Sequence, residues 1–122
     1  LFLDTYPCNA HTTASDALWA GVPVLTLAGK SFASRVASSL LTSLGLTELI
    51  ASSPEDYVKK AIDLGVDSTG AAALKKRLSA SKQNAKLFDG KVLARQLEKA
   101  FYVMHERMIG GLAPSPIVLT ES

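Results

Sequence analysis

One short segment near the start of the chain carries Cys8, His11, Thr12, Thr13 and Asp16: a thiol, an imidazole, two hydroxyls and a carboxylate. Thr13-Ala14-Ser15-Asp16 reads as a helix start, with a threonine at the N-cap and an acid three residues on, close to a capping box. The unpaired N–H groups of a helix start, two hydroxyls and the positive end of the helix dipole make an anion site that suits a phosphate or diphosphate. Asp16, one turn into the helix, is placed to accept hydrogen bonds from a ribose diol. The same residues have plainer uses. Thr13 and Asp16 can serve only as caps, His11 as a solvated loop residue, and Cys8 as a small buried hydrophobe.

Other candidates are weaker. Gly29-Lys30-Ser31 resembles the end of a phosphate-binding P-loop, but that motif needs a glycine where Val24 stands, so Lys30 reads as a solvated loop residue. Arg35, near the next helix start, pairs with an acid or faces a ligand. His105 has only His11 as a fellow histidine, too few ligands for zinc, and the single cysteine excludes both an internal disulfide and a multi-cysteine metal site. The face bearing Lys75, Lys76, Arg77, Lys82 and Lys86 lacks interleaved aromatics and reads as solvated, or at most as a contact for an acidic partner.

The elements that position the first segment are legible. Leu1-Phe2-Leu3-Asp4 reads as a buried parallel strand with a polar carboxyl end, and Pro7 forces an extended or turn conformation on the loop after it. A brief helix ends at Gly21, and Val22 to Leu27 is a second strand. The spacing predicts a helix from Phe32 to about Leu44, facing inward through Phe32, Val36, Leu40 and Leu44, and ended by Gly45. Leu49-Ile50-Ala51 is a third strand. Ser53-Pro54-Glu55-Asp56 is a strong helix start with Tyr57, Ala61 and Leu64 inward. Gly65 stops it and Asp67-Ser68 begins another, with Leu74 and Leu78 inward. Asp89-Gly90 opens a last helix, Lys91 to about Ile109, whose stripe is Leu93, Leu97, Phe101, Met104 and Met108. Gly110-Gly111 ends that helix, and a proline-containing tail follows.

Alternating strands and helices with short connections predict a parallel sheet flanked by helices, with ligands beyond the carboxyl ends of its strands. The composition agrees, with 48% hydrophobic and 20% charged residues among 122. A net charge of +2 implies neither nucleic acid nor an anionic membrane as partner, and no apolar run reaches the roughly 20 residues of a membrane helix. The start on an apolar strand without a methionine reads as a piece of a longer protein.

The stretch Cys8 to Pro23, with its His-Thr-Thr-x-x-Asp-x-Leu-Trp core, resembles the donor-site segment of the O-linked N-acetylglucosamine (O-GlcNAc) transferases. The likeness continues through Phe32 to Leu40, Leu44-Gly45-Leu46, Glu48-Leu49-Ile50, Leu87-Phe88-Asp89 and the last helix. It implies an α/β fold, the carboxyl-terminal half of a Rossmann-like domain of a GT-B glycosyltransferase, with parallel strands, flanking helices and a helical tail. Residues 1–66 would be strand–helix units, 67–111 a helical end and 112–122 a tail.

The resemblance implies transfer of N-acetylglucosamine from UDP-GlcNAc to Ser or Thr hydroxyls of proteins, with inversion and without a metal or other cofactor. Thr12 and Thr13 would hold the diphosphate, Asp16 the ribose, His11 would lie against phosphate and sugar, and Cys8 near the N-acyl group. Catalytic groups would lie outside this chain, so the segment alone would be inactive. Its partners would be the nucleotide sugar, protein acceptors, the remaining catalytic region and tetratricopeptide repeats, in the cytoplasm or nucleus. Gly29-Lys30-Ser31 departs from the Gly-Glu-Thr of many relatives. The alternatives are a protein O-fucosyltransferase or other GT-B enzyme with a different nucleotide sugar, which His11 and Asp16 disfavour, and a non-catalytic interaction domain.

Overall fold

The computed structural model describes residues 1–119; residues 120–122 of the expected tail lie outside the described residues. The elements run β1 (Phe2–Leu3), α1 (Thr12–Trp19), β2 (Val24–Leu27), α2 (Val36–Ser43), β3 (Ile50–Ala51), α3 (Pro54–Val66), α4 (Ser68–Asn84) and α5 (Gly90–Ile109). The strands form a parallel sheet in the order β1-β2-β3, with Phe2 opposite Val24, Leu3 opposite Leu25, Thr26 opposite Ile50 and Leu27 opposite Ala51. This is the α/β architecture expected of a Rossmann-like GT-B domain: parallel strands with flanking helices.

β2 is central, so its residues meet neighbours on both sides, and Val24, Leu25 and Thr26 are wholly buried. Leu18 of α1 and Ala37 and Leu41 of α2 are also wholly buried, as is Leu78 of α4, with Leu74 nearly so. Two compact units result, Leu1–Ala85 and the segment from Lys86 onward. The first takes in α4, which packs against α3 and commits Leu74 and Leu78 to that core.

Local signals set most element ends. The Ser53 hydroxyl accepts from the Asp56 amide at 3.1 Å with Pro54 in the first turn, and Asp67 accepts from the Gly70 amide at 2.9 Å. α3 runs one residue past Gly65, to Val66, and hands over to α4 at Asp67. Gly45 closes α2 at φ +69°, a conformation that costs a residue with a Cβ.

The face expected of α2 is corrected. A 3-10 turn over Phe32–Ser34 precedes the helix, and Arg35, at φ −125°, separates the two. The inward residues are Ser34, Ala37, Leu41 and Leu44, while Phe32 is 76% exposed. Ala37, Leu41 and Leu44 form a second apolar stripe that overlaps the expected one, and it is the one that is buried.

In the second unit, Asp89 caps α5 by accepting from the amides of Lys91 and Val92. The stripe Leu93, Leu97, Phe101, Met104 and Met108 forms along one helix, but every member is exposed.

Candidate functional site

The loop from β1 to α1 is organised by a buried acid. Asp4, 7% exposed, accepts on Oδ1 from the amides of Thr5 (2.9 Å) and Ala10 (2.7 Å), and on Oδ2 from the Thr26 hydroxyl of β2 (2.7 Å). Burying a carboxylate is costly unless such donors meet it. Tyr57 of α3 donates to the Asp4 carbonyl at 2.8 Å; its burial, and secondarily the charge of Asp4, push its phenol pKa up. Asn9 is also buried. Its amide donates to the Ala33 carbonyl at 2.8 Å and its Nδ2 to the Thr5 carbonyl at 2.9 Å, while its Oδ1 has no partner among the described residues.

This scaffold delivers the chain to α1. His11 occupies the N-cap without a side-chain cap bond, and the first helical bond runs from the Ser15 amide to the His11 carbonyl at 3.1 Å. The amides of Thr12, Thr13 and Ala14 are thus left without helical partners, and no acid stands in the first turn. Thr13 is therefore not the cap that its sequence predicts. It sits inside the first turn, and its hydroxyl, like that of Thr12, makes no hydrogen bond among the described residues. His11, Thr12, Thr13 and Asp16 are all exposed while Ala14 is wholly buried, and among the described residues the Asp16 carboxylate has neither hydrogen bond nor ion pair. Cys8 is exposed rather than buried, which removes its reading as a small core hydrophobe.

A second loop, after β2, meets the first. The His11 ring stands edge-on to Phe32 with centroids 6.0 Å apart, and the bond from Asn9 to Ala33 joins the loops through the backbone. Ser31 caps the 3-10 turn reciprocally with Ser34. Gly29 is needed for space: a Cβ there would lie 2.4 Å from the Ser34 hydroxyl and 3.1 Å from the Tyr6 ring. That packing accounts for Gly29, and the cap for Ser31, while Lys30 is exposed. Arg35 is exposed and its Nε donates to the Ser31 carbonyl at 3.3 Å.

The structure thus gathers Cys8, His11, Thr12, Thr13 and Asp16 on the loop and first turns that follow β1, with Phe32 as a neighbour from the β2 side. Among the described residues no group of three His, Cys, Asp or Glu side chains could hold a metal ion. Sequence reasoning missed Asp4, Asn9, Thr26 and Tyr57. The available signal was a lone acid closing an apolar strand immediately before the reactive loop.

The family model for glycosyl transferase family 41 matches residues 1–97. This chain belongs to that family. A probable UDP-N-acetylglucosamine–peptide N-acetylglucosaminyltransferase, SEC, of Arabidopsis thaliana is 38% identical to this family 41 chain over 123 aligned residues, covering 100% of the chain and 13% of the relative. The corresponding transferase of Caenorhabditis elegans is 38% identical over 110 residues, 90% of the chain and 10% of the relative. The probable transferase SPINDLY of Oryza sativa is 39% identical over 113 residues, 93% of the chain and 12% of the relative. A solved mutant O-GlcNAc transferase of Thermobaculum terrenum superposes with a TM-score of 0.78 at 39% identity, over 84% of this chain and 20% of that one. The family 41 chain therefore spans only a small part of the length of the relatives it matches.

Proposed function

We propose that this chain is the donor-binding part of a protein O-GlcNAc transferase, which moves N-acetylglucosamine from UDP-GlcNAc to Ser or Thr hydroxyls with inversion. The observation that carries the reading is the uncapped start of α1 beyond the carboxyl end of β1: the exposed amides and hydroxyls of Thr12 and Thr13 and the Asp16 carboxylate, none with a partner among the described residues. The names of the relatives supply the sugar and the peptide acceptor.

In this reading the amides of Thr12 and Thr13, with the two hydroxyls, hold the diphosphate. They stabilise it most when the sugar–phosphate bond breaks and negative charge gathers on the leaving oxygens. Asp16 accepts from the ribose hydroxyls, His11 lies against phosphate and sugar, and Cys8 lies near the N-acyl group. The positive charge that a metal would otherwise supply is replaced by backbone N–H groups and the helix dipole, so no metal and no resident cofactor is invoked. The acceptor-side groups come from the rest of the protein, with tetratricopeptide repeats selecting acceptors in the cytoplasm or nucleus. Among the described residues no helix is long and apolar enough to cross a membrane.

The test is UDP binding and sugar transfer by the full-length protein. Wild type should transfer from UDP-GlcNAc in the presence of a chelator, and Thr12→Ala or Asp16→Ala should weaken UDP binding about tenfold, the loss of one hydrogen bond to a charged partner. Transfer from GDP-fucose alone would reassign the donor. Absence of any nucleotide binding would leave an interaction domain.

A further inference from the structure

We infer that Asp4 is a positioning residue of the donor site, acting through the Ala10 amide and the Thr26 hydroxyl to hold the loop that presents His11, Thr12 and Thr13. The inference rests on the donor reading above and assigns a role to a residue that would touch no substrate.

Three features of the geometry support it. First, the carboxylate is a hub rather than a terminus. Its Oδ1 receives two amides of the same loop, at Thr5 and Ala10, and its Oδ2 receives Thr26 from the central strand. The last bond spans 22 positions and adds a side-chain tie to the central strand, where the Asp4 amide also donates to the Leu25 carbonyl at 3.0 Å. Second, the Ala10 amide immediately precedes His11, the N-cap of α1. Releasing it frees the residue whose conformation decides where the unpaired amides point. Third, the ties converge on the loop. Asn9 is buried, its amide and Nδ2 both engaged and its Oδ1 without a partner among the described residues. The Asp4 bonds, with the Tyr57 hydroxyl on the Asp4 carbonyl, flank that residue on the side of the sheet and of α3.

The chemistry also separates positioning from charge. In Asp4→Asn the remaining carbonyl oxygen still receives the two loop amides, and the introduced amide nitrogen donates to the Thr26 hydroxyl, which accepts as readily as it donates. Asp4→Ala removes all three bonds, and Thr26→Val removes only the side-chain tie to the sheet at nearly constant shape.

The experiment measures UDP affinity and the donor KM and kcat of the full-length protein, together with hydrogen exchange of the Ala10–Ala14 amides. Asp4→Ala should raise the UDP Kd and donor KM about tenfold and speed that exchange, Thr26→Val should do so by a smaller factor, and Asp4→Asn should stay within about threefold of wild type. Leu78→Ala, a core truncation outside the loop network, should lower Tm while leaving the UDP Kd unchanged. Wild-type Kd and exchange in folded Asp4→Ala or Thr26→Val would overturn the inference and leave the donor reading standing, as would Asp4→Asn as damaging as Asp4→Ala. Where Asp4→Ala fails to fold, Thr26→Val set against Asp4→Asn decides the matter. A wild-type protein that binds no UDP would overturn the donor reading itself, and this inference with it.

Discussion

Two helices in the first unit begin just beyond the carboxyl end of a parallel strand, and they begin in opposite ways. α3 is closed on itself. The Ser53 hydroxyl takes the Asp56 amide, Pro54 removes a donor that would have been orphaned, and Glu55 and Asp56 face the positive end of the dipole. Asp56 also accepts from the Ser52 amide at 2.9 Å. α1 has no side-chain cap, no proline at its start and no acid in its first turn, and its two threonine hydroxyls are unbonded. A helix start that satisfies its own donors has nothing left for a ligand. One that leaves them open forgoes stability, typically about 1 kcal/mol per missing cap, and keeps an anion site.

Closing α1 in the manner of α3 should break this contrast most sharply. Thr13→Asp should stabilise the helix by about 0.5 kcal/mol through the dipole. The same change should abolish UDP binding, weakening it by roughly a hundredfold through like-charge repulsion and the lost hydroxyl. Calorimetry and thermal melts on one sample read both directions. Thr13→Ala should weaken UDP several-fold, about 1 kcal/mol, with Tm nearly unchanged because no cap is lost. A drop in Tm without a change in affinity would reverse the assignment.

At α3 the outcome should invert. Ser53→Ala should cost about 1 kcal/mol of stability and leave UDP affinity as in wild type. The smallest effect is acid sensitivity. Hydrogen bonding from its own amide and then from Ser53 holds the Glu55 carboxyl below its ordinary pKa, and the Ser52 amide does the same for Asp56. A carboxylate depressed in the folded state lends stability above its unfolded pKa and loses it as pH falls through the folded value. Melts taken below the ordinary carboxylate range should therefore show a loss that is reduced in a Glu55→Gln, Asp56→Asn double variant.

The other lesson comes from α2. Val36 and Leu40 recur at helical spacing and so do Ala37, Leu41 and Leu44, so the sequence holds two overlapping apolar stripes. The buried one is the second. The 3-10 turn and the break at Arg35 reset the helical phase, and Phe32, first in the expected stripe, instead sets its ring against His11. α5 shows the converse: its stripe was legible and forms, yet its side chains are exposed. Periodicity reports that a helix has an apolar face, not what that face meets.

What the chain determined by itself was everything governed by neighbours within about one helical turn. Ser53-Pro54, Asp67 and Asp89 start helices, Gly45 ends one, the strands are apolar, and the reactive residues cluster after the first strand. Tertiary structure alone decided that Thr13 is free of capping duty, that Asp4 gathers donors from Ala10 and Thr26, and that Tyr57 closes over its carbonyl. Those contacts join residues 6, 22 and 53 positions apart. No local preference encodes them, because a buried carboxylate takes its partners from whatever chain the packed sheet brings within reach.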